Sequence, residues 1–438
     1  MGKIKAKAGT PVYGQLLSLI NRKDFHNAVV ETGADFAVKK LNTWTLMGSM
    51  IFAVLQRTSG LRELTSGLAG YSEGLKHLGF THLPKRSTVS DANKKRPPEL
   101  FARVFADIYR RYRHYLSDSS LPKNERWLRN LFLVDSTTIT LFKEIMKACG
   151  RTPADGKRKG GVKVHMGMHL TEEVPSLIRI TKAATNDKQF MPEFKNMAKG
   201  TILVFDKAYM NYPLYRHWGK TGVHFVTRLN LRSTVQILRD RTVSASAKKA
   251  GVLKDQWVLL GHEGELNPIL LRLITYYDQT FKRTLQFITN MGKMGPVNVA
   301  QAYKQRWQIE ILFKRLKQNL KFTDFLGDNE NAIRIQIWCA LIADLLVTIK
   351  RKLFSFKIQP AYSTMVGLVR LHLMRYVDLK ELLLSPDDPT LFGSPPTQQL
   401  TFLTSDHPNF SVQQTSSTKP GLPERQSAEL GLFRTAVI

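Results

Sequence analysis

Two aspartates follow short apolar runs, Asp135 in "LFLVDSTT" and Asp206 in "TILVFDKAY". In open α/β sheets, strand ends are where side chains distant in sequence converge on a ligand. Two carboxylates brought together there repel unless a cation lies between them, and oxygen ligands suit a hard divalent ion, Mg2+ or Mn2+. A third carboxylate, Glu310, stands among lysines and arginines in "YKQRWQIEILFKRLKQNLKF", residues 303–322. On a helix packed across the sheet it would complete a site where two ions clamp the attacking and leaving oxygens of an in-line displacement at phosphorus. Plainer readings stay open. An aspartate after a strand is a common turn or cap residue. Glu310 also has Arg306 and Lys314 four residues to either side, ion pairs that stabilise a helix by about 0.2–0.5 kcal/mol each.

These residues need a helix and neighbouring strands to hold them. A continuous helix from Tyr303, turning about 100° per residue, puts Tyr303, Arg306, Glu310, Lys314 and Lys317 on one face. Ile309, Leu312, Phe313, Leu316 and Leu320 form the apolar stripe beside it. From about 129 the pattern is that of strands: "LFLVD", the alternating "VKVHMGMHL" and "TILVFD". That predicts a mixed sheet with a half-exposed antiparallel strand beside more buried ones, and a glycine-rich turn at "DGKRKGG". Residues 223–290 carry five more strand-like runs, "VHFVTRL", "TVQIL", "QWVLL", "ILLRLIT" and "TLQFIT".

Upstream, residues 12–75 read as helical. In "LNTWTLMGSMIFAVLQR" the residues Trp44, Met47, Met50, Ile51, Val54 and Leu55 recur at three- and four-residue spacing. A further helix follows Ser87 and must stop before Pro97. Its basic end, "NKKR", suits either a phosphate backbone or solvent.

The formal charge of +30 makes a polyanion the first partner to consider, nucleic acid before an anionic membrane. The most apolar stretch, 333–349, is interrupted by charge and reads as a buried core helix, so no membrane partner is expected. "MGKIKAKAGTPVYG" lacks the apolar segment of a secretory signal, which predicts a cytoplasmic protein. Cys149 and Cys339 read as free thiols. His165 and His169, about 13 Å apart on a strand, are too far apart to share a metal and are expected to be exposed or on a phosphate. Asp187, in a turn-like context, is a lesser candidate ligand, and Trp257 and Trp307 are candidates to stack on an unpaired base. No P-loop, dinucleotide fingerprint, nucleophile elbow or zinc pattern occurs. After Ser385 the chain turns to Pro, Ser, Thr and Gln with a net charge of −2, a flexible tail and a poor DNA-binding element.

Tyr303, Arg306, Glu310 and Lys317 form Y-x2-R-x3-E-x6-K, which, with Asp135 and Asp206 upstream in order, resembles the signature of the bacterial DDE transposases of insertion sequence family four. The resemblance covers about 130–350. It implies an α/β fold: a ribonuclease-H-like catalytic core interrupted by a β-rich insertion and preceded by an all-α N-terminal region. The implied domains are an N-terminal helical domain (1–75) and a helical DNA-binding or linker region (76–126). The core follows in two parts (127–222 and 294–355) around the insertion (223–293), and the remainder is a C-terminal extension and tail (356–438). The resemblance makes Asp135, Asp206 and Glu310 catalytic ligands of two Mg2+ or Mn2+ ions, with Tyr303, Arg306 and Lys317 holding DNA phosphates. It implies cleavage and strand transfer of the protein's own insertion sequence, with a hairpin intermediate. The partners are double-stranded DNA, both terminal inverted repeats and target, and a second copy in a synaptic homodimer beside the bacterial nucleoid. The second motif reads "DKAY" where relatives often have Asp-Arg-Gly-Tyr; Lys207 lacks the planar fork of Arg, and Ala208 the freedom of Gly. A structure-directed nuclease on the same core, or an inactive DNA-binding relic, are the competing readings.

Overall fold

The computed structural model describes residues 9–117, 122–140, 161–230, 233–261, 268–354 and 359–392. Seven helices come first: α1 (Val12–Leu17), α2 (Arg22–Thr32), α3 (Thr43–Gln56), α4 (Leu61–Ala69), α5 (Ser72–His77), α6 (Arg86–Lys95) and α7 (Pro98–Leu116). The strands are β1 (Leu131–Thr140), β2 (Gly161–His169), β3 (Leu177–Lys182), β4 (Ile202–Phe205), β5 (His224–Arg228), β6 (Val235–Asp240), β7 (Val252–Leu260), β8 (Ile269–Asp278) and β9 (Arg283–Thr289). Helices α8 (Tyr212–Thr221) and α9 (Ala245–Lys249) lie between strands. After β9 come α10 (Pro296–Lys304), α11 (Trp307–Asn319), α12 (Glu330–Leu353), α13 (Tyr362–Leu371) and α14 (Leu379–Leu384). The "DGKRKGG" turn before Gly161, Cys149 and the tail beyond 392 lie outside the described residues.

Helix α3 starts where the Asn42 side chain accepts from the Thr45 N–H, the use for which Asn is favoured at a helix start. Its sequence marks one apolar face, yet every residue from Thr43 to Leu55 is buried. The reason is that α12, which also packs on α6 and α7, covers one side of α3 while α4, α6 and α13 cover others; two helices apolar nearly all round share one interior. By length and hydropathy α12 matches a membrane span, but 89% of its most apolar window is buried inside this chain. Helix α6 ends at Lys95, before Pro97, and α7 begins with Pro98 in its first turn, where a missing N–H costs nothing. Of "NKKR", Lys94 and Lys95 are exposed, but Arg96 is buried. Arg96 donates to the Leu41 carbonyl (2.7 Å) and to Thr43 Oγ1 (3.0 Å), so it ties helices together and does not offer itself to a phosphate.

All nine strands form one sheet in the order β3-β2-β1-β4-β5-β9-β8-β7-β6. β1 and β4, and β4 and β5, run parallel; the remaining neighbours are antiparallel. The strands after residue 223 therefore extend the first sheet through the β5–β9 pair instead of forming a second one. β2 departs from its expected half exposure. It lies between β3 and β1, and of its residues only Gly161, Lys163 and His169 are not fully buried.

The two faces of the sheet separate cleanly. Leu131 and Leu133 of β1 and Ile202 and Val204 of β4 share a core with Ile309, Leu312 and Leu316 of α11. Phe132, Val134, Leu203 and Phe205 pack on the opposite face with Leu214, Tyr215 and Trp218 of α8. Because side chains alternate along a strand, Asp135 and Asp206 fall on the α11 face.

Candidate active site

Val134 of β1 is paired with Phe205 of β4, so Asp135 and Asp206 are next in line on neighbouring parallel strands. Asp206 follows the last residue of β4 and caps a short 3-10 turn, its Oδ1 accepting from the Ala208 N–H at 3.2 Å. Ala208 is not among the positive-φ residues, so the absence of Gly from "DKAY" strains nothing. Asp135 does not end its strand as expected. β1 runs on to Thr140 because antiparallel β2 pairs with it as far as Gly161, so Asp135 sits mid-strand, at the point where β4 stops. Its Oδ1 accepts from the Ser136 N–H at 2.8 Å.

Across the sheet, the expected single helix from Tyr303 is two. Gln305 and Arg306 form a turn between α10 and α11, and the Ile309 N–H reaches only as far back as the Arg306 carbonyl, a tightening of 3-10 type. From that turn the Arg306 guanidinium donates to Asp135 Oδ2 at 2.7 Å and, through its other terminal nitrogen, to Glu310 Oε1. Tyr303, on α10, is nearly buried and points its hydroxyl at Asp206 Oδ2, 3.4 Å away. Arg228, last residue of β5, donates to the same oxygen at 2.9 Å. Both guanidiniums lie over the Tyr303 ring, each 5.8 Å from its centre. Asp135, Asp206, Glu310, Tyr303 and Arg306 thus meet at one place. Lys317 does not join them: it lies two turns further along α11, about 10 Å at 1.5 Å per residue, half-buried and without an ion pair among the described residues.

The electrostatics separate the aspartates. Burial pushes Asp135 up to about 6, with Glu310 and Asp206 adding to the rise and Arg306 opposing it. Asp206 is partly buried, which raises its pKa, but the Arg228 hydrogen bond and charge, with the Ala208 N–H, hold it below the usual carboxylate range. Arg228 went unread in the sequence, although the rule that singled out Asp206 applies equally to the end of the adjacent parallel strand.

The donor set is oxygen only, as a hard divalent ion requires. Between Asp135 and Glu310, however, the positive charge already present is a guanidinium. As placed around it, no three His, Cys, Asp or Glu side chains among the described residues close on one cation position. The carboxylates fit a divalent ion chemically, and Arg306 stands in for it.

Asp187 is elsewhere. It accepts from Ser136 Oγ (2.9 Å) and Lys163 Nζ (3.2 Å) behind β1, on the face opposite Asp135. His165 is buried beside it, with Nε2 3.0 Å from Thr181 Oγ1 and Nδ1 3.6 Å from Asp187; it is neither exposed nor free for a phosphate. Burial pushes its pKa down to about 4, Asp187 opposing and Lys163 and Arg179 reinforcing. The unfolded chain takes up a proton below about 6.5 that the folded chain refuses until about 4, so stability is full above this window and is lost as pH falls through it, by about 3 kcal/mol. Urea denaturation at about pH 7 and pH 4.5 should show a steeper loss in the native protein than in His165→Gln; equal losses would contradict this. Of the tryptophans, Trp257 is half-buried against Gly292 under Arg241, whereas Trp307, beside Arg306, is 60% exposed and is not the packed residue its type suggests.

Residues 126–346 match the family described as the transposase DDE domain, and residues 8–81 match a domain of unknown function, DUF4372. A putative transposase of Sinorhizobium fredii is 33% identical over 272 residues, 62% of this chain and 72% of that protein. A probable transposase for an insertion sequence element of Geobacillus stearothermophilus is 25% identical over 60% of this chain and 66% of its own length. A putative insertion-sequence transposase of Synechocystis is 24% identical over 60% and 70%. A solved piggyBac transposase synaptic complex with hairpin DNA aligns with 89% of this chain and 84% of its own at 11% identity and a TM-score of 0.43, a likeness too loose to fix any detail here.

Proposed function

The chain belongs to the bacterial DDE transposases of a kind like insertion sequence family four, and from that premise we propose that Asp135, Asp206 and Glu310 are its catalytic carboxylates. The observation that carries the reading is their convergence: two aspartates on adjacent parallel strands and a glutamate from a helix across the sheet, gathered by Arg306. The strand order 3-2-1-4-5 supports a ribonuclease-H-like core, since it lays Asp135 beside Asp206; β5 (His224–Arg228) then counts with that core, and the insertion that enlarges the sheet begins after it instead of at 223.

The enzyme cleaves DNA. In the reaction proposed, water cuts at the transposon end and frees a 3′-hydroxyl, which attacks the opposite strand to give a hairpin and release the flanking DNA. A second water opens the hairpin, and the regenerated 3′-hydroxyl attacks a target phosphodiester, displacing a target 3′-hydroxyl, within a synaptic dimer. When bound, divalent ions, two of Mg2+ or Mn2+ in this reading, neutralise the phosphate under attack and acidify the attacking water. The chain's own cations hold that phosphate. Arg228 and Arg306 each have a buried Nε with no acceptor among the described residues, so each has a donor to give to a phosphate oxygen, and a guanidinium can hold two such oxygens at once. Tyr303 fixes the spacing between them, and Lys317 meets the backbone further along the duplex.

The test is incubation of the protein with a plasmid carrying its coding sequence and native flanking DNA. Metal-dependent release of the element and joined products are expected. Cleavage without joining would favour a nuclease, and binding without cleavage under any divalent ion a relic.

A further inference from the structure

Arg306 occupies the position in which a phosphate-holding residue is least useful. Its guanidinium lies between Asp135 and Glu310 and bonds both, while Arg228 and Tyr303 approach Asp206. Every carboxylate of the candidate site already has a cationic partner. The side chain is largely buried, 17% exposed, so its charge is poorly screened by solvent.

A divalent ion entering this pocket meets a positive charge within a few ångströms and must take oxygen atoms that already accept hydrogen bonds. Arg306 is also built to leave. It springs from the two-residue turn between α10 and α11, so its long side chain can swing without moving the helix that carries Glu310. Its Nε is buried and lacks an acceptor among the described residues, so its donors are incompletely used where it is. A phosphate diester offers paired oxygens to the planar fork, a better match than two carboxylates on different elements.

Resting on the assignment of Asp135, Asp206 and Glu310 as metal ligands, we propose that Arg306 excludes divalent cations from the site in the DNA-free protein. Metal enters after a DNA phosphate has drawn the guanidinium away. Binding is therefore ordered, DNA before metal, and the unbound enzyme carries no loaded site with which to hydrolyse at random. Because such coupling is reciprocal, an arginine that opposes metal is also one that DNA must win from the carboxylates.

The experiment is a Mn2+ titration of the DNA-free protein, with free ion read by electron paramagnetic resonance. It uses the native chain, Arg306→Ala and the nearly isosteric Arg306→Gln, each with and without Asp135→Asn, and circular dichroism melts to verify folding. Both Arg306 variants should bind Mn2+ at least about tenfold more tightly than the native chain, as expected for removing a like charge at this range, and Asp135→Asn should erase the gain. If the Arg306 variants bind no more tightly while Asp135→Asn still removes bound Mn2+, the exclusion role is overturned and the metal-ligand assignment stands. If Asp135→Asn changes nothing in any background, both are overturned.

Discussion

Glu310→Gln is expected to reduce metal-dependent cleavage of the element's ends by about 10^3-fold or more while leaving affinity for those ends nearly unchanged. The metal supplies several kcal/mol of charge stabilisation at the phosphate, and each 1.36 kcal/mol is about tenfold in rate. Loss of one of three carboxylates removes much of that. Glutamine keeps the length of the side chain and a carbonyl oxygen for Arg306, so α11 and its apolar stripe of Ile309, Leu312 and Leu316 should fold unchanged. Asp135→Asn and Asp206→Asn should behave alike. The check is a plasmid cleavage assay beside a gel-shift titration; substantial cleavage by Glu310→Gln would remove that residue from the chemistry, and lost DNA binding would give it a different role.

Asp255→Ala is expected to destabilise the chain by about 3–5 kcal/mol, the cost of leaving a buried charge without its partner. Arg272 on β8 is fully buried and meets Asp255 on β7 with two hydrogen bonds of 2.7 Å. Its remaining nitrogen donates to the Met291 and Met294 carbonyls at 3.1 and 2.5 Å, the segment that leads from β9 into α10. The pair therefore anchors the joint from which Tyr303 is carried to the site. Denaturant midpoints measure the loss. Replacing both charges, Asp255→Leu with Arg272→Met, should recover much of it, because an apolar pair avoids the desolvation of both ions; a double variant no better than the single would show that packing, not charge, holds the joint.

Local pattern makes much of this architecture legible in the sequence. Short apolar runs located β1 and β4, alternation located β2, strand-like runs broken by turn residues located β5 to β9, and a Pro97 stop bounded α6, because these depend on short-range sterics and local pattern. The missing pieces depend on partners far away in sequence. Burial of α3 on every side comes from several helices, chiefly α12, some three hundred residues later, with α4, α6 and α13. The break at Gln305 and Arg306 leaves the polar and apolar positions of both helices on compatible faces, so periodicity does not register it. Asp135 looked like a strand end because the apolar run stops there; the backbone continues because β2 still pairs with it. His165 looked exposed because it alternates with methionines, and its burial is possible only because Thr181 meets its ring and Asp187 and Lys163 share the pocket. The spacing of Arg306 and Glu310 suits both an ion pair and a proposed active site, and the structure shows the ion pair, which involves Asp135 as well.

When the enzyme is engaged with DNA, Asp135, Asp206 and Glu310 are expected to hold the divalent ions together. Substituting Fe2+ for Mg2+ in the end-bound protein, adding ascorbate and peroxide, and mapping the oxidative breaks in the polypeptide tests it most directly. Breaks beside all three residues, absent without DNA, are the expected result. Breaks at other segments, or at only one of the three, would contradict it.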